Sequence, residues 1–128
     1  MSKRHWSHPL DPDTGALLIA GIDTNLGLKR IGGKRERYES LLRKFAGKQA
    51  GAVEAIRAAF SVGDASTAER EAHSLKGAAS TLGAANLAEH AAKVETAIKT
   101  GQSVDEALAS LSHSLVAVVE AIRAALPD

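Results

Sequence analysis

The 128-residue chain predicts an all-α fold: an antiparallel up-down four-helix bundle with a short additional N-terminal helix. Three observations carry this. Apolar residues recur at helical spacing in four successive segments. Glycines and one proline punctuate the ends of those segments. No stretch alternates with the period of two that a half-buried strand needs.

Residues 1–20 hold two of the three prolines and no sustained helical period, and read as a tail or linker; 21–128 read as the bundle. His5 and His8 fall in this tail and are expected to be solvated. Asp23 offers an N-cap and Gly32–Gly33 a stop, which defines the short first helix. Tyr38, Leu41, Leu42, Phe45, Val53, Ile56 and Phe60 then give one long helix or two stacked ones, weakest at Gly47 and Gly51 and ended by Gly63. Asp64 caps residues 65–82, where Ala68, Ala72, Leu75, Ala79 and Leu82 form a 4-3-4-3 seam stopped by Gly83. Leu87, Ala91, Val94 and Ile98 make the next stripe, ended by Gly101. Ser103 and Glu106 have the spacing of a capping box. They open a last helix with Val104, Leu108, Leu111, Leu115, Val118, Ile122 and Leu126, closed by Pro127. The connections are short, so successive helices should run antiparallel.

Composition narrows the function classes. With no cysteine there is neither a disulfide framework nor a thiolate metal site. A net charge of +1 gives no global argument for nucleic acid. The longest apolar run, Ala16–Ile22, is far short of the roughly 20 residues that span a bilayer. A cytoplasmic location is the expectation.

The chemistry concentrates in "EAHSLKGAASTLG", residues 71–83. His73 follows the seam residue Ala72 and is rotated about 100° from it, toward solvent. Its helical neighbours are Glu69 and Arg70 before it and Lys76 and Gly77 after it, with Ser80 two turns on. Gly77 costs the helix about 0.5–1 kcal/mol against alanine. Its hydrogen side chain leaves one flank of the imidazole open for another protein's surface. Lys76 adds a cation suited to an anion such as phosphate. A histidine near its ordinary pKa of about 6.5 is mostly neutral at pH 7, which leaves one ring nitrogen as a nucleophile. Glu69 is positioned to orient the ring. The pattern is short, and an exposed histidine beside a salt-bridging lysine would show the same spacing.

The segment from Ala72 to Gly101 resembles histidine phosphotransfer (HPt) domains, of the type attached to hybrid sensor kinases. The likeness rests on His73, on Leu75-Lys76-Gly77, on Leu82-Gly83-Ala84 and on Val94-Glu95. Upstream, Leu26 to Ala46 is similar to the first part of such domains. Thr81 departs from the pattern, since many relatives carry asparagine there.

The resemblance implies a phosphorelay intermediate. His73 would take a phosphoryl group from an aspartyl phosphate on one receiver domain and pass it to an aspartate on another. Lys76 would help hold the phosphoryl group and Gly77 would give the receiver room. Ser80 falls on the same face. Glu69, Arg70, Lys76 and Gly77 form the expected partner-binding surface. No cofactor of its own is expected: Mg²⁺ and a further lysine would come from the receiver. The domain would be inert alone, without autokinase activity, and a monomer.

Rival readings differ in class. A histidine kinase dimerisation domain places an acidic residue after its histidine and a proline soon after; here Ser74 follows, and no proline lies between residues 13 and 126. A metal site would have to draw on His73, His90 and His113, which fall on three predicted helices with no compact ligand spacing; none is expected. A basic adaptor or nucleic-acid module would use Lys29, Arg30, Lys34, Arg35, Arg37, Arg43, Lys44 and Lys48. A solvated helix face, or a rim that steers an acidic receiver, accounts for the same charges.

Overall fold

A computed structural model describes residues 18–127. Among them are six helices: α1 (Thr24–Arg30), α2 (Arg35–Gln49), α3 (Ala52–Ser61), α4 (Ala65–Leu82), α5 (Ala85–Thr100) and α6 (Asp105–Ala125). The chain is all-helical over this range, without a named strand. His5 and His8 lie outside the described residues. Ile19, before the boundary expected at residue 20, is buried in the core.

The ends form as local chemistry dictates. Asp23 accepts a hydrogen bond from the Leu26 amide at 3.0 Å, and Asp64 accepts from the Thr67 amide at 3.1 Å. At Gly63, Gly83 and Gly101 the backbone turns left-handed. In each case the glycine and the residue after it donate back to the last turn, the Schellman arrangement. α2 gives way to α3 at Ala50–Gly51, so of the two weak points expected Gly51 marks the break and Gly47 stays helical.

Neighbouring helices close a ring. The paired α2 and α3 pack on α4, α4 on α5, α5 on α6, and α6 back on α2 and α3. Every residue of the stripes expected on α4, α5 and the last helix is buried. Many of those on α4 and α5 are alanines, which hold little side-chain volume between the two helices.

Three expectations need correction. Phe60 is 39 % exposed. The buried side of α3 is Ala52, Val53, Ile56 and Ala59; Phe60 shares that side but falls in the helix's last turn, next to the exposed Ser61 and Val62, where the core has ended. Leu41 is only partly buried and packs at the edge of the core. The capping box from Ser103 does not form. Val104 takes the cap position because its side chain is drawn into the core, and Ser103 Oγ is left 3.5 Å from the Asp105 amide. Separately, α6 is long and apolar enough by length and composition to cross a membrane. Its apolar stripe, from Leu108 to Ala125, is spent on the core.

The short α1 is stitched to the C-terminal end of α4. The Asp23 amide donates to the Gly83 carbonyl at 2.8 Å, and the Tyr38 hydroxyl donates to the Leu82 carbonyl at 2.6 Å. The Arg30 guanidinium donates to the Ser80 carbonyl. The bonds to Leu82 and Gly83 satisfy carbonyls that the helix end leaves open, while the Ser80 carbonyl accepts from the Gly83 amide as well. Burial, and secondarily the charge of Asp23, pushes the Tyr38 hydroxyl's pKa well above its ordinary value. It stays a neutral donor.

Candidate functional site

His73 sits midway along α4, one position off the buried seam. Its side chain is 66 % exposed, while Ala72 and Leu75 beside it are fully buried. Gly77, one turn later, is exposed, and a Cβ built there would meet nothing within 4 Å. The flank of the imidazole is open.

What holds the ring comes from the next helix. Glu95 on α5 is buried, and its Oε2 lies 3.0 Å from His73 Nδ1. Its Oε1 lies 2.8 Å from Lys76 Nζ. Lys99 Nζ approaches Oε2 at 3.5 Å. A buried carboxylate is costly unless paired, and here the pairing is dense. The hydrogen bond from Lys76 is the main cause holding the Glu95 carboxyl down to about 2; the bond from His73 and the charges of Lys76 and Lys99 add to it, against the upward push of burial. Glu95 is therefore ionised at neutral pH and can only accept. The hydrogen at Nδ1 points to it, which fixes the tautomer of the neutral ring. Nε2 carries the lone pair.

The expected residues sort into three groups. His73, Lys76 and Gly77 share one face, with the two side chains joined through Glu95. Glu69 does not orient the ring: its Oε2 pairs with Lys99 at 3.6 Å, because Glu95 reaches Nδ1 from across the helix pair. Arg70 donates to the Thr67 hydroxyl at 3.1 Å. With Ser66, His73, Glu95 and Lys99, these two residues line an open cleft of about 390 Å³. Ser80 is exposed but lies apart from the cluster, in a separate groove with Leu26 and Arg30. The Thr81 hydroxyl donates to the Gly77 carbonyl at 3.0 Å.

Glu95 and Lys99 are the residues that sequence reasoning left without a role. A signal existed for each. Glu95 adjoins the buried Val94 and belongs to the quoted Val94-Glu95 element, and Lys99 follows it by four residues.

His90 and His113 lie on α5 and α6, and among the described residues no group of three or more His, Asp or Glu is arranged to hold a metal. The basic stretch is partly used internally: Arg30 is tied to Ser80, and Arg35 and Arg43 are half-buried and engaged.

Residues 40–126 match the Hpt domain family. No curated protein sequence matches the chain. Among solved structures it is similar to the HPT domain of the Hpt sensor hybrid histidine kinase from Shewanella, with a TM-score of 0.70 and 20 % sequence identity, over 81 % of this chain and 92 % of that one. That likeness speaks for the fold. The family match covers well over half of the sequence, and with the histidine-centred face of α4 it leads to one conclusion: the chain belongs to the Hpt domain family.

Proposed function

We propose that this domain is a protein-to-protein phosphoryl carrier in two-component signalling, with Nε2 of His73 as the acceptor atom. Family membership supports the phosphorelay role. The observation that carries the atomic reading is the hydrogen bond between His73 Nδ1 and the ionised Glu95, which turns the nucleophilic nitrogen outward beside an open glycine.

The step balances simply. The Nε2 lone pair attacks the phosphorus of a receiver's aspartyl phosphate. The Nε2–P bond forms, the P–O bond to the aspartate breaks, and the aspartate leaves as a carboxylate. The ring keeps its Nδ1 hydrogen and becomes positively charged. Glu95 faces that charge directly, as the acid partner of a catalytic histidine does elsewhere. Transfer onward to a second receiver reverses the same bonds.

Phosphoryl transfer depends on positioning and charge neutralisation more than on covalent machinery. Lys76 supplies a cation and holds Glu95 in place; Gly77 admits the partner's surface. The Mg²⁺ that neutralises the transferring group belongs to the receiver. On this reading the domain has no autokinase activity, works as a monomer beside cytoplasmic receivers, and uses Glu69 and Arg70 at the rim of the contact. Its four-membered up-down bundle serves to hold α4 and α5 in register.

The test is incubation of the chain with a phosphorylated receiver domain and Mg²⁺. Acid-labile, base-stable phosphate is expected on the chain and is expected to vanish in His73→Gln. Undiminished label on His73→Gln would refute the assignment.

A further inference from the structure

The two oxygens of Glu95 are loaded unequally. Oε1 takes Lys76 at 2.8 Å, a direct charge-assisted bond. Oε2 is shared between His73 Nδ1 at 3.0 Å and Lys99 Nζ at 3.5 Å. Lys99 has one more partner, Glu69 Oε2, at 3.6 Å. Both of its contacts are longer than good hydrogen bonds. Its side chain is 55 % exposed, against 35 % for Lys76. Lys76 is anchored, whereas Lys99 is a charge held loosely between two carboxylates, one atom away from the imidazole and on the wall of the same cleft.

In the resting domain the charges of Glu69, Glu95, Lys76 and Lys99 cancel. A phosphoryl group on His73 adds up to two negative charges at that spot. A cation must then turn toward it, and of the two lysines that pair with Glu95 the one that loses less by moving is Lys99. Both ion pairs of Lys99 are long, and a phosphoryl oxygen offers a shorter, stronger partner.

We propose that Lys99 is a phosphoryl-binding residue: Glu69 and Glu95 hold its ammonium in the unphosphorylated domain, and it passes to the phosphoryl oxygens once His73 is charged. This rests on the reading of His73 as acceptor. Lys76 keeps its place on Glu95 as a nearby cation, and Glu69 acts as a competitor for Lys99. The competition gives the proposal its signature. Removing Lys99 and removing Glu69 should change the life of the phosphohistidine in opposite directions, which loss of a merely structural ion pair would not do.

The experiment phosphorylates the full chain with phosphoramidate, a small donor that needs no receiver, and follows decay of the phosphohistidine by ³¹P NMR. Lys99→Gln should shorten the lifetime about two- to fivefold, and Glu69→Gln should lengthen it by up to about the same factor. Lys99→Arg should stay near the wild type. The double variant should decay like Lys99→Gln, because Glu69 acts only through Lys99. Equal lifetimes for Lys99→Gln and wild type, or shifts of the same sign in the two single variants, would overturn the role of Lys99. Failure of the wild type to take up label at all would instead strike the His73 reading, and this proposal with it.

Discussion

In the exposed middle of α4, a Cβ built on Gly77 meets nothing within 4 Å. At the helix's end, one built on Gly83 would run into the carbonyl oxygen of Asp23, and one built on Gly27 of α1 into the carbonyl oxygen of Leu82 and the Tyr38 hydroxyl. Both regions pay for glycine in backbone entropy, for different reasons. At Gly27 and Gly83 the space of the missing side chain is already filled by the protein's own atoms, and Gly83 also needs its left-handed φ of 93°. At Gly77 the space stays empty and lies beside an exposed imidazole. A glycine required by packing is a fold determinant; one with open space around it in a helix interior asks for an outside partner.

That contrast can be broken by substitution. Gly83→Ala should be the most damaging, combining left-handed strain with a collision against Asp23, at about 2–5 kcal/mol. Gly27→Ala should cost about 1–3 kcal/mol through overpacking alone. Chemical denaturation measures both. A loss below about 0.5 kcal/mol at either site would mean the α1–α4 contact is looser than described. Tyr38→Phe should cost about 1–3 kcal/mol by leaving the buried Leu82 carbonyl without its partner.

On the open side the sign reverses. Gly77→Ala should stabilise the domain by about 0.5–1 kcal/mol, since helix propensity rises and nothing is displaced. Gly77→Leu should also fold, yet lose on the order of tenfold or more in transfer from a receiver. Transfer at the wild-type rate by Gly77→Leu would remove the clearance argument.

A pH dependence tests the pairing of Glu95 beside that open side. The Glu95 carboxyl titrates near 2 in the folded chain and near its ordinary 4.5 when unfolded. A depressed folded value means that its stabilisation is intact above about 4.5 and is lost as pH falls toward 2. Stability curves of wild type and Glu95→Gln should therefore run parallel above that range and converge below it. Curves that stay parallel down to pH 2 would mean Glu95 is not held ionised by its neighbours.

The same contrast explains what could be read in the sequence. Stripes along one helix are local, so Ala68, Ala72, Leu75, Ala79 and Leu82 and their counterparts on α5 and α6 were legible from spacing. So were the caps at Asp23 and Asp64, where side chain and amide are three residues apart. His73, Lys76 and Gly77 lie within one turn and were legible together. The bond from His73 to Glu95 spans 22 positions and two helices, and no spacing rule reaches it. For the same reason Glu69, the acid nearest in sequence, was given the orienting role that Glu95 holds. Phe60 has the spacing of the buried face, four residues after Ile56, but spacing does not tell where along a short helix the core ends. Gly27 looked unremarkable in its segment; only the approach of Leu82 from 55 positions away makes it necessary.

The central claim is that Glu95 turns His73 so that Nε2 faces the partner. The direct measurement is ¹⁵N and ³¹P NMR of the phosphorylated domain, with the histidine ring nitrogens labelled. Phosphorus bonded to Nε2 of His73, with Nδ1 still carrying its hydrogen toward Glu95, is the predicted result. Phosphorus on Nδ1, or on any residue other than His73, would contradict it.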